Sequence, residues 1–423
     1  MSYMQSSRPP ISTISRLSLA QVSGVIITAT AGTGIWFIVA AMSQPKELGS
    51  LGQVVSTSTF VAGLVTAGLG QFFLTIVRST LNAQLRRYMF FGMLTGASAS
   101  GLLVLLITAI QFRELNLVVL ASTMLCTAIA ITNLQDALYL GVGFLYDIPA
   151  KNAAIQISRL ALLIGLTRIR VSLGVFLLAF VASQLAVGTL WFGVRGAAAL
   201  KRHASLPSVP GRSSTIWTVL LVSYLYSIAV TTIVTGVPTL ITSLVDSQQA
   251  GQFYMAWTMA GLLGSLSVAV ANSVLALTIK SDSIAKWLVH LLSGLAAALV
   301  ALGAVAAVVL PHLLSFLDQD YAGALKFFPV LVLGQVFFGT SIVALAAYRS
   351  LAPQRQVMVL LVGWPLIVVI LILFGLLNSG LIGGMVGFVV GNVATTTLVC
   401  TITLGKILGH GRSADLEIDD TPS

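Results

Sequence analysis

Polar side chains that could bind or move a charged group lie inside long apolar segments of this chain. The densest group is Asn133, Gln135 and Asp136 in one apolar segment, and Arg159 lies in the next. A charge at the centre of a bilayer costs about 2.5–3.5 kcal/mol on insertion scales, so it usually faces a cavity or a partner. Asp136 and Arg159 could therefore form a salt bridge that pins two helices, face a substrate or a coupling ion, or extend to the lipid headgroups.

Isolated amides occupy four other apolar segments: Gln71, Asn272, Gln335 and Asn392. Amides inside a membrane either hydrogen-bond between helices or line a polar cavity, and their spacing alone does not separate the two roles. Arg78 ends the segment that contains Gln71. It could anchor that helix at a membrane face, or place a cation at the mouth of a cavity, where a guanidinium can bind phosphate oxygens bidentately.

Motifs for catalysis and for metal binding are absent from the sequence. It contains no Walker-type phosphate loop, no His-Glu-x-x-His and no nucleophile elbow. Cys126 and Cys400 are isolated in apolar segments, and the four histidines are scattered, which argues against a disulfide framework or a metal centre. We therefore expect no enzyme, no cofactor and no hydrolysis of ATP by the chain itself.

The composition is that of a membrane protein. Hydrophobic residues make up 57% of the chain and charged residues 8%, whereas a soluble domain carries about a quarter charged residues. Most apolar runs are roughly 20 to 29 residues long, as spans of a hydrocarbon core about 30 Å thick require. The 22 basic residues exceed the 12 acidic ones, but they lie mainly in short loops and without interleaved aromatic residues, so nucleic acid is not an expected partner.

These segments predict an all-α integral membrane protein with about twelve transmembrane helices in two parallel six-helix bundles. The predicted spans are roughly 19–42, 51–77, 88–110, 117–138, 155–169, 172–194, 215–243, 251–278, 286–310, 325–348, 356–377 and 381–405. The fifth span is short. The mixed segment 138–154 before it could be an interfacial amphipathic helix.

A basic stretch rich in Pro and Ser divides the chain between spans six and seven, and such a composition is typical of a linker. The predicted parts are a cytoplasmic N-terminal tail (1–18), an N-terminal bundle (19–194), the basic cytoplasmic linker (195–214), a C-terminal bundle (215–408) and an acidic, disordered C-terminal tail (409–423).

Loop charges predict the orientation. With the N-terminus inside, the inner segments hold 17 of the 22 basic residues and the outer segments hold 5. This bias places both termini in the cytoplasm, and six spans in each half make the two halves parallel copies.

A repeated block supports this duplication. Leu51-Gly52-Gln53 with Ala62-Gly63-Leu64 is similar to Ala250-Gly251-Gln252 with Ala260-Gly261-Leu262. Pro238 in span seven and Pro365 in span eleven are candidate hinges, or they only shape the packing of their helices.

Two stretches resemble the bacterial flippases of lipid-linked oligosaccharides, the O-antigen and polysaccharide export proteins. The first is Glu47-Leu48-Gly49-Ser50-Leu51-Gly52-Gln53 with Ala67-Gly68-Leu69-Gly70 and Arg78, in which Gln53 replaces the usual aromatic residue. The second is Leu317-Asp318-Gln319-Asp320-Tyr321-Ala322-Gly323-Ala324 before span ten, with Asp318 where glycine is usual. The same clan contains multidrug and toxin extruders.

The resemblance implies a transporter that moves a polyprenyl-pyrophosphate-linked oligosaccharide from the inner to the outer leaflet of the bacterial plasma membrane. It also implies alternating access, and a cationic cavity between the bundles with Arg78 and Arg159 as the matching cations. Glycosyltransferases and a polysaccharide polymerase are the implied protein partners. The protein itself is expected to lie in the lipid bilayer.

Other functions stay open. A cation-coupled multidrug exporter of the same clan would need a membrane carboxylate, for which Asp136 is the candidate. A membrane-embedded glycosyltransferase or polymerase is disfavoured because no long outer loop lies between the predicted spans. A scaffold that transports nothing is a further alternative. The Gly-x-x-x-Asp signature of major facilitators is missing between spans two and three.

Overall fold

Helices form the regular structure of the part of the chain that the computed structural model describes. That part is residues 11–79, 83–112, 117–142, 144, 146–166, 173–196, 198, 213–278, 284–317 and 319–418, and it contains no strand. Within the helices, the side chains of Gln71, Arg78 and Asn272 lie outside the described residues.

The described residues of the first half form six helices. They are α1 (Ile11–Met42), α2 (Pro45–Ser79), α3 (Ala83–Phe112), α4 (Leu117–Val142), α5 (Asp147–Leu166) and α6 (Leu173–Trp191), and α6 continues into a π turn at Phe192–Gly196. Each of the first six predicted spans corresponds to one of these helices. α5, however, begins eight residues before the predicted start of span five, so the segment predicted as interfacial is partly its first turns.

Six more helices lie in the described part of the second half. α7 is Ser213–Thr231 with a π turn at Thr232–Gly236 and a last part at Val237–Leu244; α8 is Ser247–Thr278, α9 is Ile284–Leu314 and α10 is Gly323–Leu351. The continuous helical stretch Gln354–Ile418 is divided by non-helical backbone at Ser379 and Gly380 into α11 (354–378) and α12 (381–418). α12 thus extends into the tail predicted to be disordered, because an existing helix gains one hydrogen bond for each residue added.

Eight helices of the described part are long and apolar enough to cross a membrane, and the last of them, Gln354–Lys406, contains α11 and most of α12. α5 is not among the eight. Large apolar side chains are exposed on the outward faces of α9 and α11, for example Val308 at 68% and Leu377 at 86%. Lipid tails would cover such faces in a bilayer. In water, by contrast, large exposed apolar patches are unfavourable.

The helices pack as two bundles. α4 contacts α2, α3 and α6, and α5 joins α1 to α6, whereas in the second half α10 contacts α8, α9 and the hairpin of α11 and α12. The bundles meet where α1 and α2 pack against α7 and α8.

Glycines allow α11 and α12 to form a tight antiparallel hairpin. A Cβ at Gly383 would overlap the carbonyl oxygen of Gly375, and a Cβ at Gly387 would overlap that of Leu371. The backbones of the two helices are therefore in close contact, which only glycine at these positions allows. Gly380 turns the chain with φ +60° and ψ −147°.

Gly380→Ala is expected to destabilise this hairpin by about 1–3 kcal/mol, because a side chain rarely adopts these dihedral angles. Thermal unfolding in detergent measures the change. Gly363→Ala in α11 is the matched control. A Cβ there meets nothing within 4 Å, so the control should be neutral or slightly stabilising. Equal losses for both variants would contradict the explanation.

The two predicted hinge prolines behave differently. The π turn at Thr232–Gly236 ends two residues before Pro238, as expected because proline lacks an N–H and its ring crowds the carbonyl of Val234. The helix passes Pro365 without such a break, since within Gln354–Ile418 only Ser379 and Gly380 leave helical dihedral angles. The hinge roles themselves remain predictions.

Candidate functional site

A cleft lies between the two bundles and is bordered by α1, α2, α7 and α8. Its volume is about 260 Å³. Three aromatic residues line it: Trp36, Tyr254 and Trp257. Six hydroxyl residues also line it: Thr33, Ser56, Thr59, Thr235, Thr258 and Ser265. None of the described residues that line this cleft carries a charge.

The aromatic rings of the cleft are held in place by packing. Trp36 meets Tyr254 edge to face, with ring centroids 4.6 Å apart. Trp257 packs on Phe388 of α12 at 5.3 Å and on Phe253 at 5.7 Å. Rings fixed in this way present apolar faces beside hydroxyl groups that donate and accept hydrogen bonds. The cleft can therefore bind a neutral molecule with alternating apolar and polar surface.

Glycines close the cleft at the end where α1 joins α2 and α7 joins α8, which we call the closed end. A Cβ at Gly49 would overlap the carbonyl oxygen of Ser247, and a Cβ at Gly251 would overlap that of Pro45. A Cβ at Gly52 would lie 2.5 Å from Cγ of Tyr254. The repeated sequence block thus places glycine where the first turns of α2 and α8 touch.

The segment before α10 also contributes to the closed end. Tyr321 is fully buried, and its hydroxyl donates a hydrogen bond to the carbonyl oxygen of Ser43 at 3.0 Å. Gln252 Nε2 donates to the carbonyl oxygen of Asp320 at 2.6 Å. The second stretch of family likeness therefore joins the C-terminal bundle to the turn between α1 and α2.

Asp136 pairs with a lysine that the sequence analysis did not single out. Lys151 Nζ lies 2.8 Å from Asp136 Oδ1, and the lysine side chain is fully buried. Lys151 also donates to the carbonyl oxygen of Thr132 at 2.9 Å, and Asn152 Nδ2 donates to Asp136 Oδ2 at 3.3 Å. The salt bridge considered between Asp136 and Arg159 is therefore wrong, and Asp136 binds a different cation.

Arg159 instead binds neutral groups of the N-terminal bundle. It donates to Ser183 Oγ from Nε at 3.4 Å, to Gln156 Oε1 from Nη1 at 3.4 Å and to Gln184 Oε1 from Nη2 at 2.9 Å. Its guanidinium carbon lies 4.3 Å from the centroid of Phe180. That ring stacks on Trp36 at 5.9 Å, so Arg159 lies one ring behind the cleft.

The remaining predicted polar residues make local contacts. Asn133 Nδ2 donates to Thr66 Oγ1 at 3.3 Å, which joins α4 to α2. Gln135 is 4% exposed, and its Oε1 has no hydrogen-bond partner in the described part. Gln335 is 3% exposed and its carboxamide packs on Gly264. Gln71, Arg78 and Asn272 cannot be placed, because their side chains lie outside the described residues.

Of the predicted site residues whose side chains the structure describes, only Pro238 borders the cleft. Sequence reasoning missed the aromatic lining because tryptophan and tyrosine in an apolar helix are usually packed in the core. A usable signal was present: Tyr254 and Trp257 follow the repeat glycine Gly251 by three and six residues. Tyr254 therefore lies near the face on which that glycine meets α2, and Trp257 lies beside Tyr254, three residues further along the helix.

No protein-family model and no curated protein sequence matches this chain. Solved structures of MATE transporters do match it. An inward-facing multidrug resistance MATE transporter of the MOP superfamily has a TM-score of 0.66 at 13% identity, covering 93% of this chain and 99% of that one. An outward-facing one has a TM-score of 0.61 at 12% identity, with 94% and 96% covered. A Vibrio cholerae MATE transporter with an aspartate-to-asparagine substitution has a TM-score of 0.61 at 11% identity, and the match covers 94% of this chain and 98% of that one.

These matches show that the chain has the MATE transporter fold. The predicted class, an all-α membrane protein of about twelve helices in two bundles, is confirmed. At these identities the likeness concerns the fold, so the substrate has to be argued from the cleft.

Proposed function

We propose that this protein is an alternating-access transporter that flips a polyprenyl-pyrophosphate-linked oligosaccharide across the bacterial plasma membrane. The fold supports transport by two bundles that rock about a central cleft. The cleft is closed at one end by the contact of Gly49 and Gly251. With the loop charges placing both termini in the cytoplasm, that end is the outer one, and the cleft would load from the inside.

The aromatic and hydroxyl side chains that line the cleft, uncharged among the described residues, are the observation that carries this proposal. Sugars bind to proteins through apolar ring faces stacked on aromatic side chains, and through hydroxyls that exchange hydrogen bonds with polar groups. Trp36, Tyr254 and Trp257 provide the aromatic faces, and six Ser and Thr residues provide the hydroxyls. The oligosaccharide of a lipid-linked glycan fits this chemistry, with the polyprenyl tail left in the bilayer, whereas no cation for the pyrophosphate lies among the described lining residues.

A cation-coupled multidrug exporter is the alternative, and the fold accommodates it equally well. Such a protein needs a carboxylate that binds substrate cations, protons or sodium. Asp136 is already paired with the buried Lys151, and Asp147 is paired with Arg195 at 2.9 Å. Among the described residues no free carboxylate borders the cleft, which favours the glycan.

Trp257→Ala is expected to slow the flipping of a lipid-linked oligosaccharide about tenfold at limiting substrate. Losing a stacked ring removes about 0.5–1.5 kcal/mol beyond its buried area, and 1.4 kcal/mol is a factor of ten. The assay uses the purified protein in vesicles and follows glycan that becomes accessible outside. Trp257→Phe keeps a ring and should retain most of the rate.

Asp136→Asn separates the two functions. The flippase proposal expects it to keep glycan transport once the protein is folded. Export of a cationic dye that depends on an ion gradient and is lost in Asp136→Asn, with no glycan flipping by the wild type, would establish the exporter instead. If the protein is a flippase, glycosyltransferases build its substrate before the flipping step and a polymerase uses the flipped product.

A further inference from the structure

Arg159 is a cation without a counter-charge in the described part of the chain. The two ion pairs found there join Lys151 to Asp136 and Arg195 to Asp147. Every hydrogen-bond acceptor of Arg159 is neutral, and so is the ring beneath it. Transferring an isolated charge from water to a protein interior is costly unless an opposite charge or several hydrogen bonds accompany it.

The hydrogen bonds of Arg159 fix its position but do not use all of its donors. A guanidinium has five N–H groups. Ser183, Gln156 and Gln184 accept one each. One N–H on Nη1 and one on Nη2 therefore remain, and the side chain is partly exposed. Two free donors on a rigidly held cation are the elements of an anion site.

The neutral groups that hold Arg159 are themselves anchored. Ser183 is 1% exposed and donates to the carbonyl oxygen of Phe180 at 2.8 Å. Gln184 is 9% exposed and its Nε2 donates to Thr132 Oγ1 at 2.6 Å. The Gln184 amide and the Ser183 hydroxyl are each held by a second hydrogen bond, so the guanidinium of Arg159 cannot easily rotate towards another partner.

We propose that the N-terminal bundle binds one small inorganic anion of the chloride class at the free N–H groups of Arg159. The anion supplies the missing counter-charge inside the bundle. It lies outside the substrate cleft, on the far side of Phe180. Its link to the cleft is indirect, because Arg159 lies on the Phe180 ring and that ring stacks on Trp36. By holding Arg159 against Phe180, the ion would thus fix the Trp36 ring, on which we place the substrate.

The test measures binding of radioactive chloride to the full-length protein in detergent, together with its melting temperature in sodium chloride and in sodium gluconate of equal ionic strength. The wild type should bind about one chloride per chain and should melt a few degrees higher in chloride, because a ligand that binds only the folded state stabilises it. No transport is measured, so the result does not depend on the proposed substrate.

Gln184→Glu is the decisive variant. Gln184 Oε1 lies 2.9 Å from Nη2, so a glutamate of the same shape provides a fixed counter-charge. The Thr132 hydroxyl, which donates to the carbonyl oxygens of Ala128 and Ile129 in the wild type, can rotate to donate to this glutamate. We expect this variant to lose chloride binding and to melt at the same temperature in both salts, at or above the wild type in gluconate.

Arg159→Gln should also lose chloride binding, and if it does not fold, Gln184→Glu still carries the test. Arg195→Gln is the matched control, because Arg195 already has a carboxylate partner, and it should bind chloride as the wild type does. A wild type without stoichiometric chloride, a Gln184→Glu variant that still binds it, or an Arg195→Gln variant that loses it would each overturn the proposal.

Discussion

Gly251→Val is expected to prevent the cleft from closing at the closed end and to stop transport. A Cβ at this position overlaps the carbonyl oxygen of Pro45, so the backbones of α2 and α8 have to separate before any side chain fits. An alternating-access protein needs both of its end states, and a substitution that excludes one of them shifts the population to the other. We therefore expect the cleft of this variant to be permanently open at that end.

Labelling with a membrane-impermeant thiol reagent measures this change. The reporter is Thr59→Cys on the cleft wall, in a chain whose Cys126 and Cys400 are replaced by alanine. The reporter should react much faster from the side of the closed end in Gly251→Val than in the parent.

The matched control is Gly294→Val in α9, where a Cβ meets nothing within 4 Å. It should change neither labelling nor transport. Slow labelling in Gly251→Val together with normal transport would show that this contact is not part of the closure.

Lys151→Met is expected to destabilise the protein by about 3 kcal/mol or somewhat more, because removing one partner of a buried ion pair leaves an uncompensated charge. Lys151 is fully buried, whereas the Asp136 side chain is 25% exposed. That exposure lets water reach the carboxylate and places the effect at the low end of the range for buried pairs.

The double variant Lys151→Met with Asp136→Leu should recover most of this loss, since two apolar groups can replace a buried pair at little cost. Unfolding in detergent of the two single variants and the double variant gives the coupling energy. The comparison pair is Asp147 and Arg195, whose arginine is 53% exposed. Arg195→Met should cost only about 0–1 kcal/mol. A double variant as unstable as Lys151→Met would contradict the pairing.

The register of α5 explains why the partner of Asp136 was not foreseen. Span five was predicted to begin near residue 155, which put Arg159 beside Asp136. The helix begins at Asp147. Since α4 ends at Val142 and α5 begins at Asp147, the first turns of α5 lie beside the end of α4. Lys151 in these turns meets Asp136, and Arg159 lies eight residues further on. At 1.5 Å per residue this is about 12 Å deeper in the bundle. Helix ends are the least certain part of a sequence prediction.

The repeat glycines, in contrast to Lys151, were singled out from the sequence. Gly52 and Gly251 were found from the similarity of the two halves alone, and each lies at a close contact between the bundles. A glycine in a membrane helix marks a place where another group comes near. It does not say which group, and the Tyr254 ring and the Pro45 carbonyl became known only from the fold.

By itself the sequence determined that this protein is a helical membrane protein built from two similar halves. It did so because a bilayer requires apolar helices of a minimum length and tolerates few charges between their ends. The tertiary structure decided which polar groups meet: Lys151 with Asp136, Arg159 with Gln184, and Trp36 with Tyr254. These contacts join residues on different helices, so they depend on the rotation and depth of each helix in its bundle, which hydropathy does not specify.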